Sequence, residues 1–408
     1  MNFAMIFIVF SIPKQVQAIL LKRSNLKLLI LTFLLAMSFS ASATTLNKLF
    51  EVGVPVMSQS GKERKEASKQ AFEILLVRIT GRRDLTGTEI GQMMINNARQ
   101  YVSSFRYEKY EPVVFELPDT STFAESDPAQ IQAESVETNV EEVEKPPKPT
   151  QKLVVSFDEK AVKNSLWKQK LPVWGKTRPS TLLWVAIQDN ERRMLLDANE
   201  LTPLLSYIQK QAEKRGVPIL FPLLDLEDQI NINVTDVWGA FKEPVKNASS
   251  RYQPEAILTA RLFLDPFGVW QTRWTLYQGS DEIDWQVSAP TLEVAAIDGL
   301  DHMADKLAQK YAHISSVQDD TEFLIYISDV KNLKDFARVN KYLAGLSTIK
   351  KADLAQIKGE ELAFRLDLRS SAKALKQAIK LGKVLLTADD PFAPEANNEN
   401  RLSYRLMP

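Results

Sequence analysis

Cysteine is absent from the sequence, and that absence removes three kinds of chemistry at once: disulfide bridges, thiolate metal sites and cysteine nucleophiles. It also removes the residue a lipid anchor would need beside an export-signal cleavage site. Histidine is nearly missing, with only His302 and His313. Net charge is missing too, since 51 basic residues stand against 51 acidic ones. A chain so balanced has no long-range field with which to gather nucleic acid over its whole surface, so no nucleic-acid partner is expected. No glycine-rich phosphate loop follows a strand-like run, and no G-x-S-x-G elbow occurs. What remains is ordinary globular material, 45% hydrophobic and 25% charged over 408 residues, enough for two or three domains with buried cores.

The N-terminal region carries an address. Lys22, Arg23 and Lys27 precede the apolar run from Leu28 to Met37, and Ala41-Ser42-Ala43 supplies small residues where a signal peptidase reads. The run is shorter than the roughly 20 residues that span a bilayer. The pattern predicts an N-terminal extension and export signal over residues 1–43, cleaved after Ala43. It places the mature chain in the periplasm with no stable membrane span. The first twenty residues have no part in that scheme, and a start codon assigned too early would account for them. Between Glu116 and Lys148, nine acidic residues accompany only two basic ones. Such a composition cannot bury enough apolar surface to offset ordering entropy, which predicts a disordered acidic insert over 116–151.

The fold class expected is α+β, in three small domains. Around the insert, residues 44–175 form the first. Its LFEVGVPV run (49–56) alternates like a half-buried strand. Ser60 and Glu63 have capping-box spacing and open a helix that puts Phe72, Leu75, Leu76 and Ile79 on one face before stopping at Gly81. A helix from Thr88, a hairpin of strands 105–117 and 152–157 around the insert, and a helix from Asp158 complete it. Arg82 and Arg83 are expected to complement the negative end of the first helix and to pair with nearby carboxylates. Residues 176–316 predict a mixed sheet backed by helices. The elements are a strand over 181–189, a helix over 201–216, an apolar central strand over 217–225, a helix over 236–250, three turn-linked strands, and a helix over 293–312. Residues 320–390 run β-α-β-β-α-β, a ferredoxin-like order with a lysine-rich solvated face. Residues 391–408 read as a disordered tail.

Three constellations compete for a functional role. Asp225, Glu227 and Asp228 follow the expected central strand, at the end where open α/β sheets place their sites. Converging carboxylates there would support acid–base or hard-metal chemistry, whereas a strand-to-helix turn would use them to cap backbone N–H groups. His302 lies among Asp298, Asp301 and Asp305 at helical spacing, a pattern expected of a solvated helix face. Trp174 and Trp238 are candidates for an aromatic surface that stacks on sugars or peptide side chains. Trp270 and Trp274 share one strand face, which is expected to meet helices. No catalytic residue, metal ligand or cofactor is assigned on these grounds.

Several multi-residue stretches carry a resemblance. VGVPVMSQSGKERKEASKQAFEILLVRITGRRDL, WGKTRPSTLLWVAI, RGVPILFPLLDLED, DVWGAF and ASSRYQPEAILTARL together resemble domain-of-unknown-function family 2066, a group of secreted Gram-negative envelope proteins. That family has no assigned activity, so no functional residue transfers. The order of elements in the central region is more distantly similar to the TolB N-terminal domain and to lipoprotein activators of penicillin-binding proteins. The helix of the first domain is similar to that of flagellar ring-assembly proteins. The resemblance implies a non-enzymatic scaffold or regulator of an envelope assembly, acting through envelope protein partners. The alternatives are a periplasmic hydrolase or metal-dependent enzyme using Asp225, Glu227 and Asp228, and a peptidoglycan-binding module using the tryptophans.

Overall fold

The computed structural model describes residues 48–110, 149–189, 192–197, 203–314, 323–382, 384–387 and 401–408. The expected export signal and nearly all of the expected acidic insert lie outside these residues. The described residues form a mixed α and β structure with three sheets, each with its own hydrophobic core.

The first core is built from β1 (Glu51–Val56), α1 (Gly61–Thr80), α2 (Glu89–Asn96), β2 (Val102–Lys109), β3 (Gln151–Phe157) and α3 (Glu159–Lys168). The three strands form an antiparallel sheet in the order β1-β3-β2. Alternation in β1 buries Val52, Val54 and Val56 against α1 and leaves Gly53 and Pro55 outside. The Ser60 side chain caps α1 by accepting from the Glu63 N–H at 3.2 Å. The Glu63 carboxylate reaches further back than a simple capping box, accepting from the Ser58 N–H at 2.8 Å. Gly81 ends the helix at φ +71°, where a Cβ would also lie 2.0 Å from Ala308. Inside, Phe72 stacks on Tyr101 at 4.8 Å and meets Phe157 at 5.4 Å.

The central sheet is mixed. Its elements are β4 (Thr181–Asp189), β5 (Arg192–Leu195), α4 (Pro203–Arg215), β6 (Ile219–Leu220), α5 (Leu226–Asn231), α6 (Val234–Trp238), α7 (Lys242–Ser249), β7 (Ala256–Leu264), β8 (Trp270–Gln278), β9 (Asp281–Ala289) and α8 (Leu292–Tyr311). The strand order is β5-β4-β7-β8-β9, with β7, β8 and β9 an antiparallel meander and β4 parallel to β7. Helices α4 and α8 cover one face. There Trp274 packs so closely on α8 that a Cβ at Gly299 would fall 2.0 Å from its ring. The short helices α5, α6 and α7 cover part of the other face around Trp184 and Tyr277.

Two expectations fail here for backbone reasons. The run 217–225 is not a central strand. Only Ile219 and Leu220 pair, with the first residues of β4, and they share that edge of β4 with β5. Pro218 and Pro222 offer no N–H to a ladder, and Leu224 turns into the left-handed region at φ +49°. The helix expected over 236–250 is broken in two by Gly239 and by Ala240, which sits at φ +52°.

The third sheet contains β10 (Phe323–Ser328), β11 (Ile349–Lys358), β12 (Glu361–Leu368), β13 (Leu385–Thr387) and β14 (Arg401–Leu406), with α9 (Leu333–Gly345) and α10 (Ala372–Gly382). The chain order through β13 is that of a ferredoxin-like module, but the sheet is not. Its order is β11-β12-β10-β14-β13, so β14 lies parallel to β10 in the place a ferredoxin-like fold gives to β13. The region expected as a disordered tail therefore supplies an interior strand. Leu402, Tyr404 and Leu406 alternate with polar residues and face the third core, which explains the register.

Candidate functional site

The candidate carboxylates sit at the turn from β6 into α5. Asp225 is the N-cap of α5 and its Oδ1 accepts from the Asp228 N–H at 3.1 Å. The buried Asp228 carboxylate accepts from the Leu224 N–H at 3.0 Å and from the Tyr252 hydroxyl at 2.5 Å. All three carboxylates converge on one cation, Arg251. Its guanidinium forks onto Asp225 with Nη1–Oδ1 at 2.6 Å and Nη2–Oδ2 at 2.9 Å. It also reaches Asp228 Oδ1 at 3.2 Å and Glu227 Oε2 at 3.5 Å.

This geometry fixes the chemistry available. The Arg251 hydrogen bonds, helped by the Asp228 N–H, draw the Asp225 carboxyl down to about 2. Burial, then the bond to Asp228, pushes the Tyr252 hydroxyl up to about 12. A general base at neutral pH needs a raised carboxyl pKa, and a metal would have to displace a guanidinium from two carboxylates. Among the described residues, no group of three or more His, Asp and Glu is disposed to hold a metal ion. The cluster holds a turn in place. Arg251 had no local signal in sequence, because it lies 26 residues from Asp225.

The histidine cluster dissolves in the same way. His302 Nδ1 bonds the Asp298 carbonyl of its own helix at 2.8 Å. Asp301 and Asp305 do not form the solvated face expected of them, and Asp301 is 7% exposed. Asp301 accepts from Gln211 Nε2 at 2.8 Å and Arg215 Nη1 at 3.2 Å. Asp305 accepts from Arg83 Nη2 at 2.7 Å and also from Arg215 Nη2. Arg82 pairs with Asp84. Both arginines after α1 thus find carboxylates.

Beside these pairs lies a junction that sequence reasoning missed. Arg178, 3% exposed, has no carboxylate partner among the described residues and donates instead to five carbonyl oxygens. Three of these belong to helix ends: Arg78 O of α1 at 2.7 Å, Arg215 O of α4 at 3.1 Å, and Gly216 O just beyond α4 at 3.0 Å. Its guanidinium carbon also lies 4.0 Å above the Trp174 ring. Two helix C-termini, each bearing partial negative charge, supply the field a carboxylate would otherwise provide. Burial and the neighbouring Arg78 and Arg215 cations nonetheless hold the Arg178 pKa well below the ordinary arginine value. Arg78 complements this arrangement from the other side, donating to Leu49 O, Glu51 O and Lys214 O. The quoted stretches LLVRITGRRDL, WGKTRPS and RGVP meet at this point.

Trp174 is therefore interior, 1% exposed beneath Arg178, and cannot stack on a ligand. Trp238 is half-buried, with the Arg193 guanidinium 4.2 Å from its ring and the Phe263 ring 6.0 Å away. The exposed apolar surface near the candidate carboxylates comes from aliphatic residues. Leu226 is 72% and Ile230 73% exposed, one turn apart on α5, and Leu223 on the preceding turn is 50% exposed.

A family model described as "Domain of unknown function (DUF8605)" matches residues 43–175. It is a different family from the one that the sequence stretches suggested. No curated protein matches the chain significantly. One solved structure, described as "Crystal structure of S. aureus Homoserine Dehydrogenase at pH6.5", is 14% identical over 26% of this chain and 28% of that chain, with a TM-score of 0.11. Another, "Crystal structure of uncharacterized protein", is 11% identical over 33% of this chain and 98% of that one, with a TM-score of 0.14. At those scores neither carries an argument about fold. No helix among the described residues is long and apolar enough to cross a membrane. The firm assignment covers one part of the chain: residues 43–175 match a domain of unknown function, and the match ends where the first hydrophobic core ends, beside Val173.

Proposed function

We propose that this protein is a non-enzymatic scaffold or regulator of a cell-envelope assembly, acting in the periplasm through protein–protein contacts made by α5 and the turn before it. The observation that carries this reading is the pair Leu226 and Ile230, largely exposed on a helix whose first turn is pinned by Arg251. Large aliphatic side chains held outward on a rigid turn lose little entropy on docking and offer apolar area to a partner. The periplasmic setting rests on the export-signal pattern, and the envelope role on the resemblance to family 2066 and to the TolB N-terminal domain. A hydrolase or metal-enzyme reading has less support, because the carboxylates it needs are engaged by Arg251, Tyr252 and backbone amides. A peptidoglycan-binding reading loses Trp174 to the interior.

The test is photo-crosslinking in cells, with a photoreactive residue at position 226 or 230 and a control at Lys350 on the third sheet. The reading expects discrete protein adducts at 226 and 230 that the control lacks, and their loss in Ile230→Asp. Adducts that are equal at all three positions, or none at 226 and 230 while the control crosslinks, would sink it.

A further inference from the structure

The uncovered part of the central sheet carries a concentration of positive charge that nothing in the fold accounts for. Arg261 on β7 and Arg273 on β8 stand directly opposite one another in the antiparallel register. Like charges in that position repel, and sheets ordinarily avoid the pairing. A third cation, Arg193 on β5, joins them over the Trp238 ring, its guanidinium carbon at 4.2 Å and that of Arg261 at 5.9 Å. None of the three makes an ion pair with a described residue. Arg193 donates to Gln188 Oε1 at 3.2 Å, and Arg261 Nε is buried with no hydrogen-bond partner among the described residues. Burial and the charges of Arg273 and Arg193 lower the Arg261 pKa, the sign expected of unrelieved repulsion. The nearby acid on β9, Asp284, is opposite Thr275 and accepts its hydroxyl at 2.6 Å.

Arg261 and Arg273 line a small notch of about 20 Å³ with Trp238, Gly239, Thr259 and Thr275, and Arg193 lies against the Trp238 ring that walls it. The notch has room for a group of a few atoms and for little more. We propose that Arg193, Arg261 and Arg273, gathered around Trp238, form a binding site for a phosphoryl group. A carboxylate brings one charge and a planar pair of oxygens. A phosphate monoester brings about −1.5 to −2 charges and three acceptor oxygens, which suits several guanidinium forks converging from different strands. The remainder of the ligand lies outside the notch, over Trp238 and toward solvent. The site is separate from the α5 contact surface and stands or falls independently of it.

Two sources offer this chemistry, a soluble phosphate and a lipid headgroup. The experiment uses the full chain in calorimetric titrations with inorganic phosphate and in sedimentation with phosphatidylcholine vesicles, with and without phosphatidic acid. The site expects saturable binding to at least one probe, weakened tenfold or more in Arg273→Gln, whose side chain is exposed, and unchanged in Lys350→Gln. Where phosphate binds, it should raise the melting temperature of the parent chain and not that of Arg273→Gln. Vesicle binding at least tenfold tighter than phosphate binding assigns the headgroup, and the reverse assigns a soluble ligand. Absence of binding to both probes, equal binding by Arg273→Gln, or acetate competing as well as phosphate would overturn the proposal.

Discussion

The most demanding prediction concerns Arg178→Met. A buried helix end needs donors for its last carbonyls, and those from Leu76 to Ile79 in α1 and from Ala212 to Arg215 in α4 each have one. In α1, Leu76 O accepts from the Thr80 hydroxyl, Val77 O from the Gly81 N–H, Ile79 O from the Trp174 N–H, and Arg78 O from Arg178. In α4, Ala212 O and Glu213 O accept from the Val217 and Gly216 N–H groups, and Lys214 O accepts from Arg78. Arg215 O and Gly216 O are left to Arg178. Methionine keeps most of the volume and supplies no donor, so carbonyls at the ends of both helices lose their partner together. A buried acceptor left unmade costs about 1–3 kcal/mol. Releasing a buried cation that has two cationic neighbours offsets part of that loss. Hence Arg178→Met should lower stability by at least about 1–3 kcal/mol, the cost of one orphaned acceptor. Arg178→Lys, with three donors and no planar fork, should lie between it and the parent. Urea unfolding measures the loss, and amide hydrogen exchange locates it. Protection should fall first at residues 76–82 and 212–218 and remain in the third sheet. A loss under about 1 kcal/mol, less than one orphaned acceptor should cost, or exchange rising evenly over the molecule, would refute the account of Arg178 as the donor that closes two helices.

Three further outcomes follow from the packing and electrostatics. Gly299→Ala gains about 1 kcal/mol of helix propensity and yet should destabilise, because its Cβ would fall 2.0 Å from the buried Trp274 ring. A higher melting temperature would show that the ring has room to move. Leu406→Ala should cost about 2–5 kcal/mol in the third unit, because Leu406 is 5% exposed in the core of that sheet, and chemical denaturation should show the loss. In NMR titration the Asp225 carboxyl should titrate near 2 and return toward the ordinary value of 3.8 in Arg251→Gln. Its pKa is depressed by folding, so whatever stability it contributes is complete above the unfolded value and is lost as pH falls through about 2. An unchanged titration in the variant would remove Arg251 as the cause.

Legibility in the sequence followed how local the determining physics is. Helix α1 was readable because Ser60 and Gly81 mark its ends within one turn of the elements they cap. The β7–β8–β9 meander was readable from turn chemistry and from the alternation of Trp270 and Trp274. The run after Gly216 misled because eight apolar residues suggest a buried strand, while two prolines among them and a left-handed Leu224 withhold the backbone groups a ladder needs. Strand β14 was hidden by its polar approach, although RLSYRL itself alternates. The candidate carboxylates and their capping of backbone N–H groups were legible in the turn, whereas the cation they share, Arg251, is separated from them in sequence. The Arg178 junction joins residues up to 136 positions apart, and no spacing rule reaches that far.

The position of β14 also bears on how the third unit assembles. Until β14 arrives, one edge of β10 is bare and β13 has no ladder to join, since among the described residues β13 pairs only with β14. Contacts such as Ile325 with Leu402 span a long stretch of chain, and loop-closure entropy makes such parallel pairings slow. The αβ layers around β10, β11 and β12 can therefore form first, leaving an unpaired edge that seeks a strand. Any extended segment offered to that edge in the interval competes with residues 401–406 for the same backbone groups of β10.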